Sequence, residues 1–425
     1  MSGLPRRPSD SVKRVLLVTF DFPPVGGSGV QRVAKFAKYL PCFGWHPVVL
    51  TTRYGRGEPR DPTLAEELGS VEIHRTCAFD PYRWLSRMRP NSRSESDPGR
   101  IHGGQLGPLH PAAWLVPDGK LGWLPFGFGW ALNHTRDGFD AVLSTLPTPT
   151  SAILGSLIAR VWRVPHIIDY RDPWSGAYYM PKRPALLARL ESACERRILS
   201  HAGGVSAVPE AAQALPPTDT PVWVIHNGYD EADFTVVEPR RTDAGFVIAH
   251  VGILWQGRDM GPLGAALQIL RVKRPELYQQ VHFLQVGRVD SFVARQLLDL
   301  SSQVRLARLP SVGHADAISY MTGADLLYLP TSHDHLPGKT YEYLRSGTPV
   351  LGLGRRDSQL HELIAETGGG WVLEPDDSDA IAQCIEDVIV GSRHVQLVDR
   401  SKLARYSREA GARTVAQLLD RVVNE

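Results

Sequence analysis

Cysteine is scarce in this chain, with four residues, Cys42, Cys77, Cys194 and Cys384, scattered over 425 positions. They form no CxxC pair and no Cys/His cluster, so neither a disulfide framework nor a zinc site is indicated, and reduced thiols in a cytosolic protein are expected. No apolar run approaches the roughly 18 residues of a membrane span. The opening MSGLPRRPSDSVKR is basic and polar, and the VLLVTF after it is too short for the apolar core of an export signal and reads as a strand. A charge excess is also missing: 47 Lys and Arg against 45 Asp and Glu leave +2. That balance removes the general electrostatic argument for nucleic-acid binding, although local basic patches can remain.

What is present is an ordinary globular composition, 43% hydrophobic and 22% charged, in a chain long enough for two or three domains. Short runs rich in Val, Ile and Leu alternate with longer amphipathic stretches. In the first half the runs are RVLLVTF from Arg14, HPVVLTT from His46, DAVLSTLP from Asp140, HIIDYRD from His166, GGVSAV from Gly203 and VWVIHNG from Val222. Apolar runs without polar alternation suit strands buried on both faces, and helical intervals between them imply parallel crossovers. The pattern restarts after DEADFTVVEPRRTDAG, a linker-like stretch near residues 230 to 245. FVIAHVGIL, VHFLQVG, VRLARL, DLLYLP, PVLGLG and GWVLEP then supply a second set of strands, with helices expected in GPLGAALQILRVKR, SFVARQLLDLSSQV and DAISYMTGA.

The expected fold class is therefore α/β, with two Rossmann-like doubly wound domains facing across a cleft at the C-terminal edges of their sheets, where open α/β sheets bind ligands. The expected boundaries are 1–230, 231–405, and a C-terminal helix over 406–425 packing back on the first domain. Residues 80–130 resist the scheme. RWLSRMRPNSRSESDPGR is expected to be disordered, and the aromatic GKLGWLPFGFGW to form an ordered insertion on the acceptor side or a surface touching a membrane.

Three stretches carry candidate chemistry. In FDFPPVGGSGVQRVAKFAKYL a strand ends, and Gly26, Gly27 and Gly29 precede a helix whose N–H groups could meet an anion. The stretch is neither GxGxxG nor a Walker loop, and a tight strand-to-helix turn accounts for it equally. In HVGILWQGRDMGPLGAAL, Arg258 lies just ahead of a helix and could fork onto phosphate oxygens or pair with Asp259.

In HDHLPGKTYEYLRSGTPVLGLG a helix is expected to start at Lys339 and stop at Gly347 and Pro349. A lysine opposes the positive end of the helix dipole, so something negative is expected beside it. Asp334 and Glu342 have seven residues between them and could grip sugar hydroxyls. Equally, Glu342 could answer the dipole while Asp334, His333 and His335 are solvated loop polars.

Taken in order, PPVGGSGVQRVAKFAKYL, GWHPVVLT, IIDYRDPW, VIHNGYDEADF, VGILWQGRD and PGKTYEYLRSGTPVLGLG resemble the GT-B-fold glycosyltransferases of family 4, from about Arg14 to Leu373. The resemblance implies transfer of a sugar from a nucleotide-sugar, with retained anomeric configuration and no divalent metal or other cofactor, to a glycan, lipid-linked or small-molecule acceptor. The second domain would hold the nucleotide and the first the acceptor.

By position, Arg258 and Lys339 would neutralise the diphosphate, Glu342 hold the ribose, Asp334 hold donor-sugar hydroxyls, and the backbone at Val312 cup the base. Gly27 and Gly29 would let the first-domain loop approach the diphosphate or sugar. Asp334 replaces the family's usual glutamate, and no lysine follows Arg258, so that duty falls to Lys339. In IIDYRDPW, Asp169 or Asp172 could act near the acceptor hydroxyl, with Asp172 the favoured choice; equally, Arg171 and Asp172 could be a structural pair. A nucleotide-sugar epimerase or hydrolase on the same fold, or a non-catalytic nucleotide-sugar binder, are the competing readings. The protein is expected in the cytoplasm, with peripheral membrane contact open.

Overall fold

The alternation of side chains along one strand explains the first sheet. In β1 (Lys13–Val18), Val15 and Leu17 enter one core and Leu16 and Val18 another, all nearly inaccessible to solvent. A strand buried on both faces needs apolar residues at every position, and this sequence supplies them. The computed structural model describes residues 12–53, 61–79, 114–135, 137–175, 183–235, 237–242, 245–255, 257–302, 304–331, 336–392 and 395–425. Asp334, with His333 and His335, and the serine- and arginine-rich part of the 80–130 stretch lie outside the described residues.

These residues divide between two units. The first runs to His226 and takes back Arg408–Glu425; the second runs from Asn227 to Ser407. The strands of the first are β1, β2 (Trp45–Thr52), β3 (Glu72–Thr76), β4 (Ala141–Thr145), β5 (His166–Tyr170), β6 (Gly204–Ala207) and β7 (Val222–Val224), in the sheet order β3-β2-β1-β4-β5-β6-β7. Every pairing is parallel. Order reverses beside β1, the topological switch of a doubly wound sheet. Strand β3 is the one the apolar runs did not announce. Its EIHRT is half-exposed at a sheet edge, where charged side chains are tolerated and protect against edge-to-edge pairing.

The second unit repeats the design with β8 (Phe246–Val251), β9 (Val281–Val286), β10 (Arg305–Leu309), β11 (Leu326–Pro330), β12 (Val350–Leu353) and β13 (Gly370–Leu373), in the order β10-β9-β8-β11-β12-β13. All pairs are parallel. Val247, Ala249 and Val251 face one core and Ile248 the other.

In the first unit the C-terminal helix Arg408–Asn424 lays Ala412, Val415, Ala416, Leu418 and Leu419 into the same core as Val33, Ala34 and Ala37 of the helix Ser28–Tyr39. Asp420 at its far end accepts from Lys13 Nζ at 2.7 Å and Trp45 Nε1 at 3.1 Å. The aromatic part of the 80–130 stretch is a turn at Leu121–Trp123 followed by the helix Leu124–Asn133. Trp123 is fully buried against Phe20. No helix among the described residues is long and apolar enough to cross a membrane.

Candidate functional site

In a parallel sheet every strand points its C-terminal end the same way, so the loops that follow the strands gather at one edge. Of the second unit's candidates, Arg258 follows β8, Val312 follows β10, and Lys339 opens the helix Lys339–Ser346 that follows β11. Three of the residues singled out from the sequence are thereby brought together: Arg258 and Glu342 both lie within electrostatic reach of Lys339, and of Tyr343 one turn further along its helix. Arg258 Nη1 donates to Ile253 O at 2.8 Å. Asp259 Oδ1 accepts from Gly261 N at 2.7 Å and Gln296 Nε2 at 2.6 Å, so that carboxylate tightens the start of the next helix. Glu342 sits in the first turn of its helix, and Thr340 Oγ1 beside it is buried without a hydrogen-bond partner. The helix stops at Gly347, whose φ of 79° is left-handed.

Lys339 is partly buried, and its ammonium reaches back under the sheet edge to His250 Nε2. It lies 5.7 Å from the Tyr343 ring centroid, and the Tyr343 hydroxyl is fixed by β8, accepting from Val251 N at 2.7 Å and donating to Val251 O at 3.0 Å. The close approach needs a glycine: Gly252 has φ 137°, and a Cβ there would lie 2.8 Å from Lys339 Nζ. Burial and then the Arg258 guanidinium push the Lys339 ammonium well below its usual range, with Glu342 opposing. Burial, Lys339 and Arg258 likewise hold His250 neutral, with Gln285 opposing. Two cations held close in a half-enclosed site are an arrangement that an anion would relieve.

A second pair of groups flanks Glu342. His314, the first residue of the helix His314–Gly323, has Nε2 3.0 Å from Asp233 Oδ2 and 3.7 Å from Glu342 Oε1. Val312, two residues earlier, is half-buried against the core that holds Tyr341 and Leu344.

The first unit's candidates separate. Asp169 is fully buried: Arg32 donates to it through Nε and Nη2 at 2.9–3.2 Å, Ser206 Oγ at 2.7 Å and Thr145 Oγ1 at 3.0 Å. Arg32 Nη1 also donates to Ile225 O at 3.0 Å and His226 O at 3.1 Å. Asp169 is thus a structural anchor, closed to any substrate. Asp172, just past β5, pairs with Arg171 at 2.7 Å, and both side chains keep part of their surface. Gly27 has φ 116° and open space where a Cβ would be, whereas a Cβ at Gly29 would overlap the Arg171 guanidinium. Gly29 therefore makes room for Arg171 next to the helix start.

Sequence reasoning did not single out His250, Gln285, Asp233 or His314. His250 and Gln285 carried a readable signal, since each is a polar residue in a buried run, two positions before a glycine, in HVG and QVG. The contacts of Asp233 and His314 carried none, because neither residue stands out from an ordinary loop or helix start.

With that geometry in view, residues 245–390 match the family described as Glycosyl transferases group 1. No curated protein matches the chain. Solved structures share its fold over nearly their whole length. The sucrose-phosphate synthase of Thermosynechococcus elongatus is 16% identical with TM-score 0.59, covering 97% of this chain and 96% of its own. Anabaena Alr3699/HepE in complex with UDP-glucose is 13% identical with TM-score 0.54, covering 97% and 98%. A UDP-N-acetylglucosamine 2-epimerase from Listeria monocytogenes, so described provisionally, is 13% identical with TM-score 0.53, covering 95% of each. The paired parallel-sheet units have the GT-B architecture. The family match over the second unit, together with this shared fold, supports a glycosyltransferase.

Proposed function

We propose that this enzyme moves a hexose from a nucleoside diphosphate sugar to an acceptor hydroxyl with retained configuration, and that the second unit holds the donor. The observation that carries the reading is the convergence of Arg258 and Lys339, with Glu342 beside them, at the C-terminal edge of the second sheet. In the reaction the bond from the anomeric carbon to the β-phosphate oxygen breaks and a bond to the acceptor oxygen forms. The acceptor proton passes to the departing phosphate. Negative charge grows on that phosphate, and Arg258 and Lys339 are aimed to meet it, which lowers the barrier without a metal ion.

Glu342 is assigned to the ribose hydroxyls, the backbone at Val312 to the base, and Asp334 to the transferred sugar. The acceptor, a glycan, lipid-linked or small-molecule hydroxyl, is assigned to the first unit, with Asp172 near it. UDP-glucose, seen with HepE, is the first donor to try.

Incubation with radiolabelled UDP-, GDP- and ADP-sugars, with and without an acceptor panel, tests the reading. Acceptor-dependent product is expected. Rapid formation of an epimer or free sugar from the donor alone would replace the transferase with the epimerase or hydrolase reading. Glu342→Ala is expected to weaken donor binding roughly ten- to hundredfold, the loss of a charge-assisted hydrogen bond worth about 1.5–3 kcal/mol. A donor KM equal to that of the unaltered enzyme would remove Glu342 from the ribose.

A further inference from the structure

His250 and Gln285 are both fully buried, and they stand opposite each other in the register of β8 and β9. A polar pair at the centre of a parallel sheet costs stability unless its hydrogen bonds are met, so its partners carry the explanation. Gln285 Nε2 donates to Gly252 O at 2.9 Å, which turns its Oε1 toward His250 Nδ1 at 2.8 Å. Because Oε1 can only accept, Nδ1 must carry the imidazole proton and Nε2 must carry the lone pair. That lone pair faces Lys339 Nζ. Gly252, Gln285, His250 and Lys339 thus form one directed chain of donors and acceptors running from the strand backbone to the ammonium.

We propose that His250, oriented by Gln285, is a positioning residue that holds the Lys339 ammonium against the diphosphate of the donor; this rests on the donor reading given above. The choice of group has a physical reason. A carboxylate in the same place would hold the lysine more tightly, but it would cancel the charge that the phosphate needs and repel the phosphate itself. A neutral imidazole nitrogen accepts one of the three ammonium hydrogens, fixes a long flexible side chain, and leaves its charge and its other two donors for the ligand. Gln285 completes the device because a neutral amide sets the tautomer, whereas an acid there would favour imidazolium, which has no lone pair to offer. With Lys339 anchored before the donor arrives, less ordering has to occur during the reaction.

Two measurements test it together. The first is the tautomer of His250 in the unaltered protein, read by long-range 15N–1H correlation on histidine-labelled material, with the His250 signal assigned by its loss in His250→Gln. A protonated Nδ1 and a bare Nε2 are expected; a protonated Nε2 overturns the proposal, because it leaves nothing to accept from Lys339. The second compares UDP, GDP and ADP affinity by calorimetry, and kcat and donor KM, in His250→Phe and His250→Gln. Gln places an amide oxygen where Nε2 stood and is expected to stay within about threefold of the unaltered enzyme. Phe fills the space without an acceptor and is expected to lose about ten- to a hundredfold in kcat, with a smaller change in KM. Equal kcat in the two variants and the unaltered enzyme overturns the positioning role alone. If the unaltered enzyme binds none of the three nucleotides, the donor reading falls first.

Discussion

Lys339→Ala is expected to lower turnover of the nucleoside diphosphate sugar about a hundred- to thousandfold, and Arg258→Ala to do the same. On the proposed donor reading, each would remove one preorganised cation from the phosphate on which charge develops, a loss of about 3–4 kcal/mol in the transition state. Neither change should unfold the protein, since each relieves a repulsion between neighbouring cations. Thermal midpoints at or above that of the unaltered enzyme are therefore expected. Nucleoside diphosphate affinity should fall in both variants, and calorimetric affinities that match the unaltered enzyme in both would remove the two residues from the site.

A proton signature accompanies the effect. Burial and Arg258 lower the pKa of Lys339 in the ligand-free site, and a bound diphosphate raises it again. Over pH values between the lowered pKa and the restored one, binding takes up a proton. The observed heat should then depend on the ionisation enthalpy of the buffer, and Lys339→Ala should abolish that dependence.

The second large effect concerns stability. Asp169→Ala leaves the Arg32 guanidinium buried without its counter-charge and strips a partner from Ser206 and Thr145. Removing one member of such a pair costs about 3–5 kcal/mol, whereas replacing both by apolar groups of similar volume is often neutral. Urea unfolding followed through the first unit's tryptophans should show that loss for Asp169→Ala. The double change Arg32→Met with Asp169→Leu should recover most of it. A single variant within about 1 kcal/mol of the unaltered protein would mean that the pair does not anchor the sheet.

The chain's polar exceptions show how much could be read early. The runs around Val15, Val48, Val142, Ile167 and Val205 in the first unit, and those around Ile248, Phe283, Leu327 and Leu351 in the second, are apolar at consecutive positions. Burial on both faces leaves no other composition, so these strands could be read locally. The lysine helix was legible too, because Pro337 and Gly338 open it and Gly347 closes it. Strand β3 was not, since an edge strand keeps one side in water and EIHRT has no apolar run to display. The IIDYRDPW motif presented two aspartates with equal claims. Only the burial of Asp169 against Arg32, 137 residues away in sequence, separated the anchor from the candidate.

Local order along the chain settled the strand inventory, the parallel α/β class, the restart of the pattern in the second half, and the helix that begins at Lys339, because each depends on neighbours within a few residues. Which side chains meet was settled by packing. Gln285 finds His250 across 35 positions and Lys339 finds His250 across 89, and both meetings follow from strand register and crossover paths that no local pattern encodes. Hydrophobic periodicity is a short-range property of a chain, whereas the pairing of buried polar groups is a property of its folded topology.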